Sequence, residues 1–67
     1  MSTRLAAAIA EVPDDWRVNL MAGHAFAVCT LTDRDGISAT ASGADGPAVV
    51  REAIAKLRGR VAAAPAG

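Results

Sequence analysis

Two residues of this chain could carry covalent or acid–base chemistry near neutral pH, and each is the only one of its kind. The sequence holds one cysteine, Cys29, and one histidine, His24. A thiol nucleophile needs a base within hydrogen-bond reach, and a zinc-type site needs three or four converging ligands. His24 follows Gly23 in a segment that reads as a tight turn, whereas Cys29 lies inside an alternating segment that reads as a strand, so the two are expected to lie apart. No Ser or Cys nucleophile falls near His24, although aspartates are available to orient it, and it reads as a polar turn residue. Cys29 reads as a small core residue, the usual role of a buried thiol. Asp14, Asp15, Asp33 and Asp35 fall in connections, and neither pair has the loop pattern of a calcium site. The sequence therefore reads as a non-enzyme, with no catalytic residue, no cofactor and no metal.

A third place where chemistry could reside is the stretch "ASGADGPAVV", residues 41–50. A strand that feeds a helix through glycines can bind phosphate, because the first N–H groups of the helix point outward. Here Pro47 deletes one of those donors and Asp45 competes for others. The stretch reads as a helix cap, with Asp45 or Gly46 as cap and Pro47 supplying a preset dihedral in the first turn.

The chain that must position these residues has 67 residues, so it is one domain at most. So small a domain buries only about 60% of its unfolded surface and gains from a staple. One cysteine allows no internal disulfide and a metal is not expected, which points to a partner chain. Seven basic and seven acidic residues balance to a net charge of zero. That balance exerts no global pull toward nucleic acid or an anionic membrane. The apolar run at residues 5–10 is too short for an export signal or a membrane span. With a free thiol, this leads to the expectation of a reducing cytoplasm, here that of a bacterial host. The abundance of Ala, Gly, Val and Arg goes with a GC-rich bacterial or phage genome.

Periodicity gives the element order. Ser2 or Thr3 can cap a helix running to Glu11, whose stripe is Leu5, Ala8, Ile9 and Val12, and Pro13 stops it. Residues 16–21 alternate as a half-buried strand. Gly23-His24 then reads as a two-residue hairpin turn. Residues 25–32 form a second strand, Arg34-Asp35-Gly36 a three-residue loop, and residues 37–42 a third strand. A second helix over residues 47–61 carries the stripe Val50, Ile54, Leu57 and Val61, with Glu52 and Lys56 as an exposed pair. The expected fold is α+β, an αβββα two-layer sandwich, with two helices on one face of a three-stranded antiparallel meander. Residues 1–61 form the domain, and residues 62–67 are expected to be a disordered tail.

Turn length fixes the expected register. The first hairpin pairs Leu20 with Ala27, Val18 with Cys29 and Trp16 with Leu31, and the second pairs Leu31 with Ala39 and Cys29 with Ala41. The expected core is Leu5, Ile9, Trp16, Val18, Leu20, Cys29, Leu31, Val50, Ile54 and Leu57. The opposite face is mostly polar, as an open antiparallel sheet should be. Met21, Phe26 and Val28 interrupt it, with Met21 and Phe26 as cross-strand neighbours. These three, flanked by Arg17 and Asn19, are the candidate protein interface; the helical face around Arg51 and Arg58 is the alternative.

The segments "RLAAAIAEV", "DDWRVNL" and "ISATASGADGPAVVREAIAKL" resemble the phage ABA sandwich domain. That family has a short amphipathic helix, a meander opening on a Trp-containing strand, and a final helix after a small-residue strand. The resemblance implies an accessory phage protein. It would act by binding another protein, as an inhibitor of a host defence system of the anti-CRISPR kind or in the virion as a structural accessory. A homodimer is a further form of partnership. The αβββα order also looks like a double-stranded RNA-binding domain, where lysines before and within the start of the second helix grip phosphates. At that place this chain has no lysine and has Asp45, so nucleic acid is not the expected partner, nor is a membrane.

Overall fold

The computed structural model describes residues 3–63. Its elements are α1 (Thr3–Ala10), β1 (Arg17–Ala22), β2 (Ala27–Thr32), β3 (Ser38–Gly43) and α2 (Gly46–Ala63). The strands form one antiparallel sheet in the order β1-β2-β3. This is the α+β, αβββα meander that the periodicity predicts. The helix cap expected at Ser2 lies outside the described residues, as does the expected tail beyond Ala63. α2 runs two residues past Val61.

Pro13 ends α1 as expected, with a tightening of the chain before it. Glu11 N–H donates to the Ala8 carbonyl at 3.1 Å and Val12 N–H to the Ile9 carbonyl at 3.0 Å. Trp16 N–H then bonds back to the Pro13 carbonyl at 3.1 Å, so Trp16 belongs to the turn and β1 starts one residue later.

The two hairpins differ in how they are fixed. Between β2 and β3 the register is the expected one, with Leu31 opposite Ala39 and Cys29 opposite Ala41. Asp33 holds this turn. Its Oδ1 accepts the N–H groups of Asp35 at 2.9 Å and Ile37 at 2.8 Å, and Gly36 sits at φ 88°, where a Cβ is costly. Between β1 and β2 the expected register is corrected by two residues. Leu20 pairs with Cys29, Val18 with Leu31 and Met21 with Val28. The turn is centred on His24 and Ala25, closed by Gly23 N–H to the Phe26 carbonyl at 2.8 Å. Gly23 does not supply a left-handed turn residue. It supplies room, because a Cβ there would lie 2.8 Å from the Phe26 ring. A shift of two preserves every side chain's face.

The helices share one side of the sheet, where α2 lies against β2 and β3, and α1 lies against α2. Small side chains make this approach close: Ala27, Ala39 and Ala41 in the sheet, Ala53 in α2 and Ala8 in α1 are all buried. Cys29, Leu31, Val49, Val50, Ile54 and Leu57 fill the rest. Leu5, Ile9, Trp16 and Leu20, expected in the core, pack against its margin and are half-buried. Val18 is 40% exposed and Val61 39% exposed, which corrects both expectations. Val18 stands on the strand that α2 does not reach. Val61 stands past the sheet's end, since 18 residues of helix span about 27 Å and six of strand about 20 Å.

Candidate interaction surface

The face of the sheet away from the helices carries three cross-strand rows. Arg17, Thr32 and Ser38 form the first; Asn19, Thr30 and Thr40 the second; Met21, Val28 and Ser42 the third. The hydroxyls of Thr30 and Thr40 bond each other at 3.0 Å across the middle row. Beyond the third row, the Phe26 ring occupies the place of a side chain at Gly23, two positions along from Met21. The corrected register thus replaces the Met21–Phe26 pair with Met21–Val28 and still gathers Met21, Val28 and Phe26 at one end. Met21 is 65% exposed, Phe26 55% exposed and Val28 half-buried. Arg17 and Asn19 lie along β1 toward the polar end, both exposed.

On the alternative surface of α2, Arg51 is already engaged. Arg51 Nε bonds Glu11 Oε2 at 2.9 Å and ties α2 to the end of α1. Lys56 Nζ donates to the Thr40 carbonyl at 3.3 Å, and Arg60 Nη1 to the Ser38 carbonyl at 2.8 Å. Arg58 is exposed. Asp45 caps α2, its Oδ2 accepting Ala48 N–H at 3.3 Å while its carbonyl accepts Val49 N–H at 2.9 Å. The shallow depression beside this cap is lined by Asp45 and Glu52, the wrong charge for phosphate. A second depression, between Asp15, Arg17, Arg34 and Asp33, includes a carboxylate already spent on its own turn.

His24 is exposed in the first turn and Cys29 is fully buried in β2. Burial pushes the Cys29 thiol up from its ordinary range, away from the thiolate that nucleophilic chemistry needs. Asp14, Asp15 and Asp35 are exposed, and Asp33 is buried. Among the described residues, no three His, Cys, Asp or Glu side chains gather where they could hold a metal ion. No described helix is long and apolar enough to cross a membrane.

The strand expected at residues 16–21 is present as β1, but its exposure on both faces is not foreseen. None of its residues is buried and only Leu20 is half-buried. The alternation Trp16, Val18, Leu20 had implied one covered face. Its uncharged run from Val18 to Gly23 was the available signal. No protein-family model, curated protein or solved structure matches this chain. The αβββα order it shares with other domains is therefore a statement about topology and not about family membership.

Proposed function

We propose that this protein works by binding another protein through the apolar end of its open sheet face. Met21, Phe26 and Val28 form the centre of that contact, and Arg17 and Asn19 its polar flank. The observation that carries this reading is the clustering of Met21 and Phe26, each more than half exposed, with Val28 in an otherwise polar face. Single exposed apolar residues are ordinary, but a cluster marks a contact site, and Met and Phe are enriched at interface centres. The accessory phage role, with a protein of bacterial defence as target, is the partner class to try first.

Double-stranded RNA is the weaker reading. Phosphate binding needs free cations, and Arg51, Lys56 and Arg60 each have a partner within the chain while Asp45 occupies the helix start. Capture from bacterial lysate, with and without nuclease, tests the choice. A partner should survive nuclease treatment with the native chain and be lost with Phe26→Ser, whose circular dichroism should remain near native. Loss of the partner on nuclease treatment, or equal capture by folded Phe26→Ser, would sink the reading.

A further inference from the structure

We infer that β1 pairs edge to edge, antiparallel, with β1 of a second copy of this chain, joining two three-stranded sheets into one of six strands. The argument begins with backbone direction. Gly23 N–H bonds the Phe26 carbonyl, so that pair faces inward. Bonded and non-bonded pairs alternate along an antiparallel ladder, so Met21, Asn19 and Arg17 also face β2. Val18, Leu20 and Ala22 therefore turn their N–H and C=O groups outward. Among the described residues, no side chain or backbone group bonds them.

Exposed edges are normally blunted by lysine, proline, a bulge or a covering element. The β3 edge has such protection: Lys56 and Arg60 hold the outward carbonyls of Thr40 and Ser38. β1 has none. It contains no lysine or proline, its pairing with β2 runs without a bulge, and α2 lies over the other two strands.

The sequence of β1 is complementary to itself. A twofold axis at Leu20 sets Leu20 against Leu20 of the second copy and Val18 against Ala22, large against small. This register uses all three outward-facing residues of each copy. A shift that brought Trp16 in would meet an N–H already spent on the Pro13 carbonyl. Arg17 is the one charge on β1, and this register places it opposite Gly23 of the second copy. The side-chain position there is filled by the Phe26 ring, whose face attracts a guanidinium. The two arginines stand about 20 Å apart, six residues along the strand, so no like charges meet. On the helix side, half-buried Leu20 and exposed Val18 gain the cover they lack in one copy.

Sedimentation over a rising concentration series reads this directly. The mass should move from one chain to two. Ala22→Pro removes only an outward N–H at an exposed position, so it should weaken the dimer at least tenfold with unchanged circular dichroism. Should that variant fail to fold, Val18→Lys leaves the backbone intact and sets a charge in the seam, with the same expected loss. With Cys29 replaced by Ala, because native Cys29 lies directly opposite Leu20 in the same chain, Leu20→Cys should cross-link two copies under mild oxidation, and Val18→Cys should not, since its two copies stand about 14 Å apart. A mass of one chain at every concentration overturns the inference, as does a folded variant that dimerises like the native chain. None of these changes touches Met21, Phe26 or Val28, so the partner reading stands or falls separately.

Discussion

At the β3 edge of the sheet, α2 reaches down with two cations and occupies the outward carbonyls of Ser38 and Thr40. At the β1 edge, the outward groups of Val18, Leu20 and Ala22 face solvent, and every side chain but Leu20 is exposed. The strands have equal length and both end a meander, so topology alone does not make the difference. It comes from where α2 lies. A helix placed over β2 and β3 finishes one edge and leaves the other, and the second hairpin is pinned by the Asp33 carboxylate while the first has one backbone bond and a ring seated on a glycine. One edge of the sheet is closed by the chain's own groups, and the other is open.

The sharpest way to break this comparison is chemical. Cys29 and Val18 lie on the same face of the sheet, on neighbouring strands. Native Cys29 should react with a thiol reagent about a thousandfold or more slower than an unfolded thiol, the ratio expected of a domain of only about 5 kcal/mol. In Val18→Cys, at a dilution where the chain is single, mass spectrometry should count one label added fast and one slow. Two fast labels would mean the β2 side is as open as β1. The thiol also links stability to pH. Its folded pKa is raised by burial, so the folded chain holds the proton more tightly. That contribution is fully present below the ordinary thiol pKa and is lost as pH rises from there through the folded value. Cys29→Ala should flatten the alkaline fall in stability.

Packing gives the next largest contrast. Leu57 is fully buried against the sheet, so Leu57→Ala should cost about 2–5 kcal/mol, a large share of so small a domain's stability. Val18→Ala removes a half-covered side chain and should cost under about 1 kcal/mol. Chemical denaturation of the two variants decides it. Equal losses would mean β1 is core after all.

What the sequence made legible follows the same division. The β2–β3 hairpin could be read because its determinants are local: Asp33 bonds its own loop, and Gly36 takes the dihedral only glycine takes freely. The β1–β2 hairpin was displaced by two residues because Gly23 serves the Phe26 ring, a contact that no turn preference encodes. Faces survived the error since the shift was even, which is why Met21, Val28 and Phe26 still converge. Alternation told which side of β1 faces the helices. It could not tell that α2 stops short of Val18, or that the helix outlasts the sheet at Val61. The position of one layer over another depends on side-chain volumes summed across elements, here the buried Ala39 and Ala41 of β3 and Ala53 of α2, which let α2 lie close to β3.

The smallest expected effect tests whether Lys56 and Arg60 act as guards or only as ornaments of an exposed helix. Their bonds to the Thr40 and Ser38 carbonyls lie at the surface, where a charge-assisted bond competes with water. Replacing both by alanine should therefore cost only about 0.5–1 kcal/mol of stability. The informative readout is association. With the carbonyls of β3 released, the chain would carry two open edges instead of one. A chain with one open edge closes as a pair, whereas a chain with two can add copies at both ends. Light scattering of the double variant should then show species larger than two chains at concentrations where the native protein stops at two. If the double variant stops where the native chain stops, the β3 edge is protected by its own small, hydroxylic side chains and twist, and the contrast between the edges belongs to β1 alone.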